Sequence, residues 1–315
     1  MRILKFGGKS LGSLEKTQKI CKYIRKIYKK DKKLIVVVSA IGETTNKLIE
    51  TVQPFDAEQI ARRELDALLS TGETVSASIF SIILNSCGIP AKSFQAWQIK
   101  INTFGEHQNS LITSIDKSVI EEALSKNIVC VVTGFQGVNK LNDITTLGRG
   151  GSDTTAAALG AVFNCNVEFY SDFNGMHSCD PRHAKSKKLN SIALNQLDFS
   201  SLCGSRIISN RAVKIAKGNN ITFHLKSSEQ PTLKGTIASD IECNNITINV
   251  NPNLCEVYIN SLDSAKIKTL SKNVIIWLKR FKIYNLELKF NYIYLLVNQA
   301  DKQEILETLI NKLKL

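Results

Sequence analysis

The chain has 315 residues, of which 43% are hydrophobic and 22% charged, a composition that excludes a disordered chain. This length allows one large core or two domains of ordinary size. The net charge of +13 raises the question of nucleic-acid binding, but the densest basic run, Lys22–Lys33, continues an apolar stripe of isoleucines at helical spacing. Basic and aromatic residues do not alternate as in single-strand-binding proteins. We therefore expect no nucleic-acid partner and an anionic small substrate.

No apolar run approaches the roughly 18 residues that are needed to cross a bilayer. The first residues, MRILKFGGKS, enter a strand-like run directly, without a signal-peptide pattern. The eight cysteines contain no CxxC pair, which argues against a disulfide framework or a zinc site. We expect a cytoplasmic protein with free thiols, no membrane association and no metal site built from protein ligands.

Hydrophobic periodicity predicts alternating strands and helices over the first 230 residues. The predicted strands are Arg2–Phe6, Leu34–Ser39, Ile128–Thr133, Val167–Ser171 and Ile221–Leu225. A long amphipathic helix follows the first strand, and further helices are predicted within Asn46–Cys87 and at Ser152–Phe163 and Ile207–Lys217. This order predicts an α/β fold whose parallel sheet is covered on both faces and binds its ligands at the carboxyl ends of the strands.

The composition changes after about residue 235, where an Asn-rich segment without motifs begins. It predicts strands and helices in the order strand, helix, strand, strand, helix: Glu256–Ile259, Ser264–Arg280, Tyr284–Phe290, Tyr292–Asn298 and Lys302–Leu313. That order indicates a small α+β module of the split type. The predicted domains are therefore residues 1–238 and 239–315.

The first chemical signal is KFGGKS, Lys5–Ser10, in which two glycines join a strand to a helix. Glycines at such a turn let backbone N–H groups approach a phosphate. A P-loop would need glycine where Ile3 stands, and a dinucleotide-binding fingerprint would need it at Lys9. Both motifs are excluded, and by itself a tight turn explains the two glycines equally well.

The second signal is TTLGRGGSD, Thr145–Asp153, which opens a predicted helix. Ser152 or Asp153 could simply cap that helix. A cap does not explain three glycines around Arg149, whereas arginine can bind a carboxylate with two parallel hydrogen bonds. This segment favours a binding site for a carboxylate.

Three further segments follow predicted strands or open helices but are ambiguous alone. In Tyr170–Arg182, Asp172 could accept from a nucleotide and Arg182 could face phosphates. The hydroxyls of Ser39–Asn46 could cap a helix or contact a polar ligand. Glu73, in Ser70–Ala77, could complement a helix dipole.

Taken together, these segments resemble the amino acid kinase family, and within it the aspartate kinases. The family patterns KFGGTS, VVSAxGxxTN and LLSxGE are present as KFGGKS, VVSAIGETTN and LLSTGE, and TTLGRGGSD is intact. The patterns TDxxGxYxxDPR and FGAKVLHPRA are present as SDFNGMHSCDPR and LCGSRIISNRA, and the pattern GT as Gly235-Thr236. The resemblance covers residues 1–240, and its motifs favour aspartate kinases over acetylglutamate, glutamate 5- and uridylate kinases.

The resemblance implies a three-layer αβα sandwich of the amino acid kinase type with a small ACT-like module at its C-terminal end. It also assigns roles to residues of this sequence. Catalysis falls to Lys5 and Asp153. Aspartate-binding positions are Thr45, Glu73, Arg149 and Ser152, and ATP-binding positions are Lys5, Phe6, Gly7, Gly8, Ser171, Asp172, His177, Arg182 and Arg206.

The implied reaction transfers the γ-phosphoryl group of Mg-ATP to the β-carboxylate of L-aspartate. A carboxylate is already an anion at pH 7, so positioning and cations should dominate over general-base catalysis. We expect Lys5 to stabilise the transferring group, Arg149 to bind the α-carboxylate, Asp153 to orient Lys5, and Mg²⁺ to bridge ATP oxygens. The product would enter the lysine (diaminopimelate), threonine and methionine pathway.

The sequence departs from the family pattern at Lys9, His177 and Arg206, which stand where threonine, tyrosine and lysine are usual. These departures leave open a non-catalytic amino-acid-binding or regulatory subunit, and another carboxylate kinase, such as one for acetylglutamate, is the third reading. The family usually carries two ACT domains that form the dimer. About 75 residues remain here, so we expect one such module, a homodimer, and weak or absent feedback inhibition.

Overall fold

A computed structural model describes residues 1–55, 61–203, 207–241, 245–251 and 254–315. The chain folds into two compact units that alternate along the sequence. The first unit comprises residues 1–174 and 211–233, and the second comprises residues 175–210 and 234–315. The predicted division into domains after residue 238 stays a prediction.

Within the described residues the chain forms sixteen strands and nine α-helices. The strands are β1 (Arg2–Phe6), β2 (Leu34–Val38), β3 (Ala91–Phe94), β4 (Asn102–Phe104), β5 (Leu111–Ser114), β6 (Val129–Thr133), β7 (Gln136–Val138), β8 (Ile144–Thr146), β9 (Val167–Ser171), β10 (Ser191–Ala193), β11 (Phe223–Ser227), β12 (Thr236–Ser239), β13 (Thr247–Asn251), β14 (Glu256–Asn260), β15 (Ile283–Leu288) and β16 (Tyr292–Val297). The helices are α1 (Leu14–Tyr28), α2 (Thr44–Val52), α3 (Arg62–Ser86), α4 (Ser118–Ser125), α5 (Gly151–Phe163), α6 (Leu194–Leu202), α7 (Asn210–Gly218), α8 (Ser264–Trp277) and α9 (Lys302–Leu313).

The first unit contains a parallel sheet in the order β11-β9-β1-β2-β6-β3. Every residue of β2 is fully buried, as expected for a strand covered on both faces. Helices α1 and α3 pack on the face that carries Leu4, Phe6 and Val36, and α5 contacts β1 and β2. The predicted α/β sandwich is confirmed.

A second, smaller sheet in the first unit has the order β5-β4-β7-β8 and was not predicted. Its strands are three or four residues long, and β8 ends at Thr146, with only Leu147 between it and the Gly-Arg-Gly-Gly segment. This sheet therefore sets where that segment begins.

The second unit contains an antiparallel sheet in the order β13-β14-β16-β15. Helices α8 and α9 share one core with it, including Val257, Ile267, Leu295 and Leu309. From β14 onward the order is strand, helix, strand, strand, helix, as the sequence predicts, and β13 was missed. Strands β10 and β12 form a parallel pair in the same unit.

Helix α3 is long and apolar enough, by length and composition alone, to cross a membrane. In the fold, 56% of its most apolar stretch is buried, as is usual for a core helix. Among the described cysteines, all are free thiols and Cys21, Cys130, Cys179 and Cys203 are buried. Burial raises the pKa of Cys21 to about 12.

Candidate active site

Backbone hydrogen bonds join the ends of β9, β1 and β2 and the segments that follow β1 and β2. Gly7 N–H donates to Tyr170 O (3.4 Å), Ser39 N–H to Phe6 O (3.2 Å) and Gly42 N–H to Gly8 O (3.0 Å). These bonds bring the ends of neighbouring strands to one edge of the sheet, where ligands of parallel α/β folds bind.

Two glycines permit contacts that a side chain would block. A Cβ on Gly8 would lie 2.5 Å from Ala40 O, and a Cβ on Gly134 would lie 2.5 Å from Ser152 Cβ. Gly8 therefore lets the loop after β1 lie against the loop after β2, and Gly134 lets the start of α5 approach the end of β6. Ser152, a predicted substrate-binding residue, is buried by this contact.

Lys5 and Asp153, the predicted catalytic pair, form an ion pair with Nζ and Oδ1 2.7 Å apart. Only 13% and 12% of their side chains are exposed. The ammonium group also lies beside Gly7, because a Cβ there would be 3.7 Å from Lys5 Nζ. A largely shielded cation is thus fixed next to the two glycines at the end of β1.

Glu73 is buried in α3, with 3% of its surface exposed. Its Oε1 accepts a hydrogen bond from Ala40 N–H at 3.0 Å, while Oε2 has no partner among the described residues. Burial raises the pKa of Glu73 to about 7, and the Ala40 N–H and the charge of Lys5 limit the rise. We use the term strand-end site for Lys5, Gly7, Gly8, Glu73 and Asp153.

The Gly-Arg-Gly-Gly loop comprises residues 148–151. Gly148 and Gly150 have φ values of 73° and 71°, the left-handed region that favours glycine. The N-cap of α5 is Gly150 rather than Ser152 or Asp153, so the carboxylate of Asp153 is available for Lys5. Arg149 is exposed at the tip of this loop, four residues before Asp153.

The remaining predicted site residues have different environments. Thr45 lies in the first turn of α2 and is half-buried. Phe6 is fully buried and stacks on Tyr170 (ring centroids 4.7 Å apart), so only its backbone can face a ligand. At the end of β9, Ser171 Oγ contacts Phe173 (3.3 Å), and Asp172 is exposed.

The other nucleotide-binding predictions fall outside the first unit. In the second unit, His177 Nδ1 lies 3.4 Å from Ser186 O, and Arg182 forms an ion pair with Asp180. Arg206 lies outside the described residues. The structure thus brings Lys5, Glu73 and Asp153 together, while the roles of all these residues stay predictions.

Asp66 lies outside the sequence motifs, yet it is fully buried in α3 and accepts hydrogen bonds from Thr146. The sequence does contain a signal for the burial of Asp66, because Asp66 has the helical spacing of the buried face formed by Leu69, Glu73 and Phe80. A carboxylate on the apolar stripe of a helix requires hydrogen-bond partners in the core.

Chemically, the strand-end site combines a fixed ammonium group, glycine-lined backbone and two carboxylates. Such an arrangement can hold a phosphate against the backbone while a cation neutralises it. A second anion can approach the phosphate only if another cation neutralises its charge. The exposed guanidinium of Arg149, in the loop that leads to Asp153, can supply that cation.

Residues 1–227 match the model of the amino acid kinase family. The chain is 38% identical over 240 residues to aspartokinase 2 of Bacillus subtilis, covering 76% of this chain and 58% of that protein. It is 35% identical over 297 residues to the aspartokinase of Rickettsia felis, covering 89% and 73%. The chain spans little more than half the length of most of the curated relatives that it matches.

The fold is similar to solved aspartokinases. Escherichia coli aspartokinase III, in complex with aspartate and ADP, superposes with a TM-score of 0.82 over all of both chains at 17% identity. Clostridium acetobutylicum aspartate kinase gives a TM-score of 0.69 over 99% of each chain at 16% identity. The family match, which covers most of the chain, and the sequence relatives agree: the chain belongs to the amino acid kinase family, and within it to the aspartokinases.

Proposed function

We propose that this protein is an aspartate kinase that transfers the γ-phosphoryl group of ATP to the β-carboxylate of L-aspartate, giving 4-phospho-L-aspartate. The observation that supports this most directly is the Lys5–Asp153 ion pair beside Gly7 and Gly8. The solved E. coli relative is a complex with aspartate and ADP, which supports the same two ligand classes here.

In this proposal Lys5 and Arg149 neutralise two anions that repel each other. The β-carboxylate is ionised at neutral pH and needs no general base. The barrier therefore depends on alignment of the reactants and on positive charge around the transferring group. Asp153 keeps the Lys5 ammonium in place, and Arg149 binds the α-carboxylate so that the β-carboxylate faces the γ-phosphorus.

Mg²⁺ would be carried by the phosphate oxygens of ATP, where it adds positive charge to the transferring group. The parts of the chain that the structure describes contain no group of three or more potential metal-ligating His, Cys, Asp or Glu residues. The protein's own contribution is then Lys5 and the backbone of Gly7 and Gly8.

The test is to incubate the protein with Mg-ATP, L-aspartate and hydroxylamine, which converts an acyl phosphate into a hydroxamate. We expect aspartyl hydroxamate to form in proportion to ADP. Folded protein that binds aspartate but releases no ADP would instead indicate a regulatory subunit. Faster turnover with N-acetylglutamate than with aspartate at equal ATP would indicate another carboxylate kinase.

Gly8→Ala should weaken ATP binding. Its Cβ would lie 2.5 Å from Ala40 O, a backbone atom that cannot move aside without shifting the loop. We expect the KM for ATP to rise at least about tenfold, since small misplacements of a phosphate-binding backbone are costly. Gly218→Ala, where a Cβ meets nothing within 4 Å, is the matched control and should leave the KM for ATP unchanged.

Glu73 should make aspartate binding depend on pH. Its pKa of about 7 means that the carboxylate is mostly protonated at pH 6 and mostly ionised at pH 8. If the ionised form attracts the substrate ammonium, the affinity for aspartate increases up to about tenfold between pH 6 and pH 8. Calorimetry with aspartate in the absence of ATP measures this change.

Glu73→Gln should remove that pH dependence. Glu64→Gln, at an exposed position of the same helix, should keep it. An unchanged pH profile in Glu73→Gln would show that another group is responsible.

We further propose that the product feeds lysine (diaminopimelate), threonine and methionine synthesis, and that the enzyme is a cytoplasmic homodimer with weak or absent feedback inhibition. The aspartokinase relatives support the kinase reaction on which this pathway assignment depends. Light scattering tests the dimer, and the hydroxamate assay with added lysine or threonine tests the feedback.

A further inference from the structure

The residues before the Gly-Arg-Gly-Gly loop are held by a carboxylate outside the strand-end site. Asp66 is fully buried in α3. Its Oδ1 accepts from Thr146 Oγ1 at 2.6 Å, and its Oδ2 accepts from Thr146 N–H at 3.0 Å. Thr146 is the last residue of β8, so both bonds fix the point from which the loop starts.

The same carboxylate also orders the segment that packs beneath the loop. Gln108 N–H lies 3.1 Å from both Asp66 oxygens, and His107 Nδ1 lies 2.7 Å from Oδ2. A Cβ on Gly148 would lie only 2.8 Å from Gln108 O. Asp66 therefore positions both Thr146 and the backbone against which Gly148 rests.

Arg211 binds Leu147, the residue between Thr146 and the loop. Its Nη1 donates to Leu147 O at 2.8 Å and to Ser110 O at 3.2 Å, and its Nη2 donates to Asn109 Oδ1. Ser110 N–H in turn donates to Thr146 O at 3.1 Å. The two residues that precede Gly148 are thus bound by charge-assisted hydrogen bonds from an anion and a cation.

We propose that Asp66 and Arg211 are positioning residues that set the Gly-Arg-Gly-Gly loop, and through it the guanidinium of Arg149, for recognition of the α-carboxylate of the amino-acid substrate. The proposal rests on the function proposed above. The loop needs such support because its two left-handed glycines leave many backbone conformations open, and Arg149 itself lies exposed at its tip.

Asp66→Asn is the first test because it keeps the size of the side chain. An amide has one acceptor oxygen, so its NH₂ group would face either the Thr146 and Gln108 N–H donors or the Thr146 hydroxyl. We expect the KM for aspartate to rise about tenfold or more, with the KM for ATP changed less than about twofold. Equal losses for both substrates, or no loss, would overturn the proposal.

Arg211→Met tests the cationic side of the same arrangement. It should also raise the KM for aspartate selectively, and Arg211→Lys should restore only part of the affinity, because lysine cannot reproduce the fork of donors. The matched controls are Asp143→Asn and Lys214→Met. Asp143 is an acid on the β7–β8 connection that pairs with Arg63, and Lys214 is an exposed cation of α7. Both controls should behave as wild type.

A double variant separates positioning from a general loss of stability. If Asp66 acts through Arg149, then Asp66→Asn should add little to the KM for aspartate in an Arg149→Ala background. Additive effects of the two substitutions would contradict the proposal.

A readout without catalysis separates this proposal from the proposed function. By hydrogen–deuterium exchange, Asp66→Asn should increase exchange in residues 146–152 and leave β2 unchanged. Wild-type protein that does not phosphorylate aspartate would refute the kinase assignment. Unchanged exchange in residues 146–152 would refute the positioning role, whatever the activity.

Discussion

Lys5→Ala should reduce the formation of aspartyl hydroxamate by at least about a thousandfold while the protein remains folded. Lys5 Nζ lies 2.7 Å from Asp153 Oδ1 and beside Gly7, where the phosphates of ATP would lie. Removing a fixed charge that stabilises the transition state in a shielded site costs about two to three orders of magnitude in rate. Losing the cation also leaves the Asp153 carboxylate facing the phosphates, which adds to the loss.

Two controls distinguish lost chemistry from lost structure. Lys5→Met keeps the aliphatic stem and should lose as much activity as Lys5→Ala. Lys92→Ala removes an exposed lysine from β3, an edge strand of the first unit's parallel sheet, and should keep wild-type activity. Circular dichroism and thermal unfolding establish that each variant is folded. Near-normal turnover of folded Lys5→Ala would mean that another group stabilises the transferring phosphoryl.

The hydrophobic pattern predicts strands accurately where both faces are buried. The predicted bounds of β2 and β6 agree with the structure to within one residue, because continuous apolar runs of strand length leave little choice. Strand β11 was predicted at Ile221–Leu225 but runs from Phe223 to Ser227, two residues later. The prediction stopped before Lys226 because a charged residue interrupts the apolar run. In the structure Lys226 Nζ lies 3.2 Å from Glu168, a tertiary ion pair that the local sequence does not show.

The short strands β4, β7 and β8 could not be predicted from periodicity, because three residues contain too few alternations to define a pattern. Yet β8 determines where the Gly-Arg-Gly-Gly loop begins. The motifs located the candidate site residues, since glycine and charge patterns depend on local spacing. Contacts across long sequence distances, such as Asp66 with Thr146, depend on the fold and had to be seen in the structure.

Arg149→Ala should raise the KM for aspartate about a hundredfold and change the KM for ATP little. A paired guanidinium–carboxylate interaction contributes about 1.5–3 kcal/mol, which corresponds to a factor of roughly 10 to 150 in affinity. Arg149 is exposed at the loop tip, so its removal leaves no buried cavity and should not affect stability. The KM for aspartate of Arg149→Lys should lie between those of the wild type and Arg149→Ala, because lysine keeps the charge but binds a carboxylate with a single donor at a time.

The role of Arg149 can be tested through substrate choice as well as through affinity. β-Alanine has the ammonium and the acceptor carboxylate of aspartate but no α-carboxylate, so wild-type enzyme should strongly prefer aspartate. In Arg149→Ala that preference should largely disappear, since the group that recognises the α-carboxylate is gone. Arg62→Ala, which removes an exposed arginine at the start of α3, should keep the preference. If Arg149→Ala still discriminates as the wild type does, the α-carboxylate is bound elsewhere, and the two-cation arrangement proposed for this site is wrong.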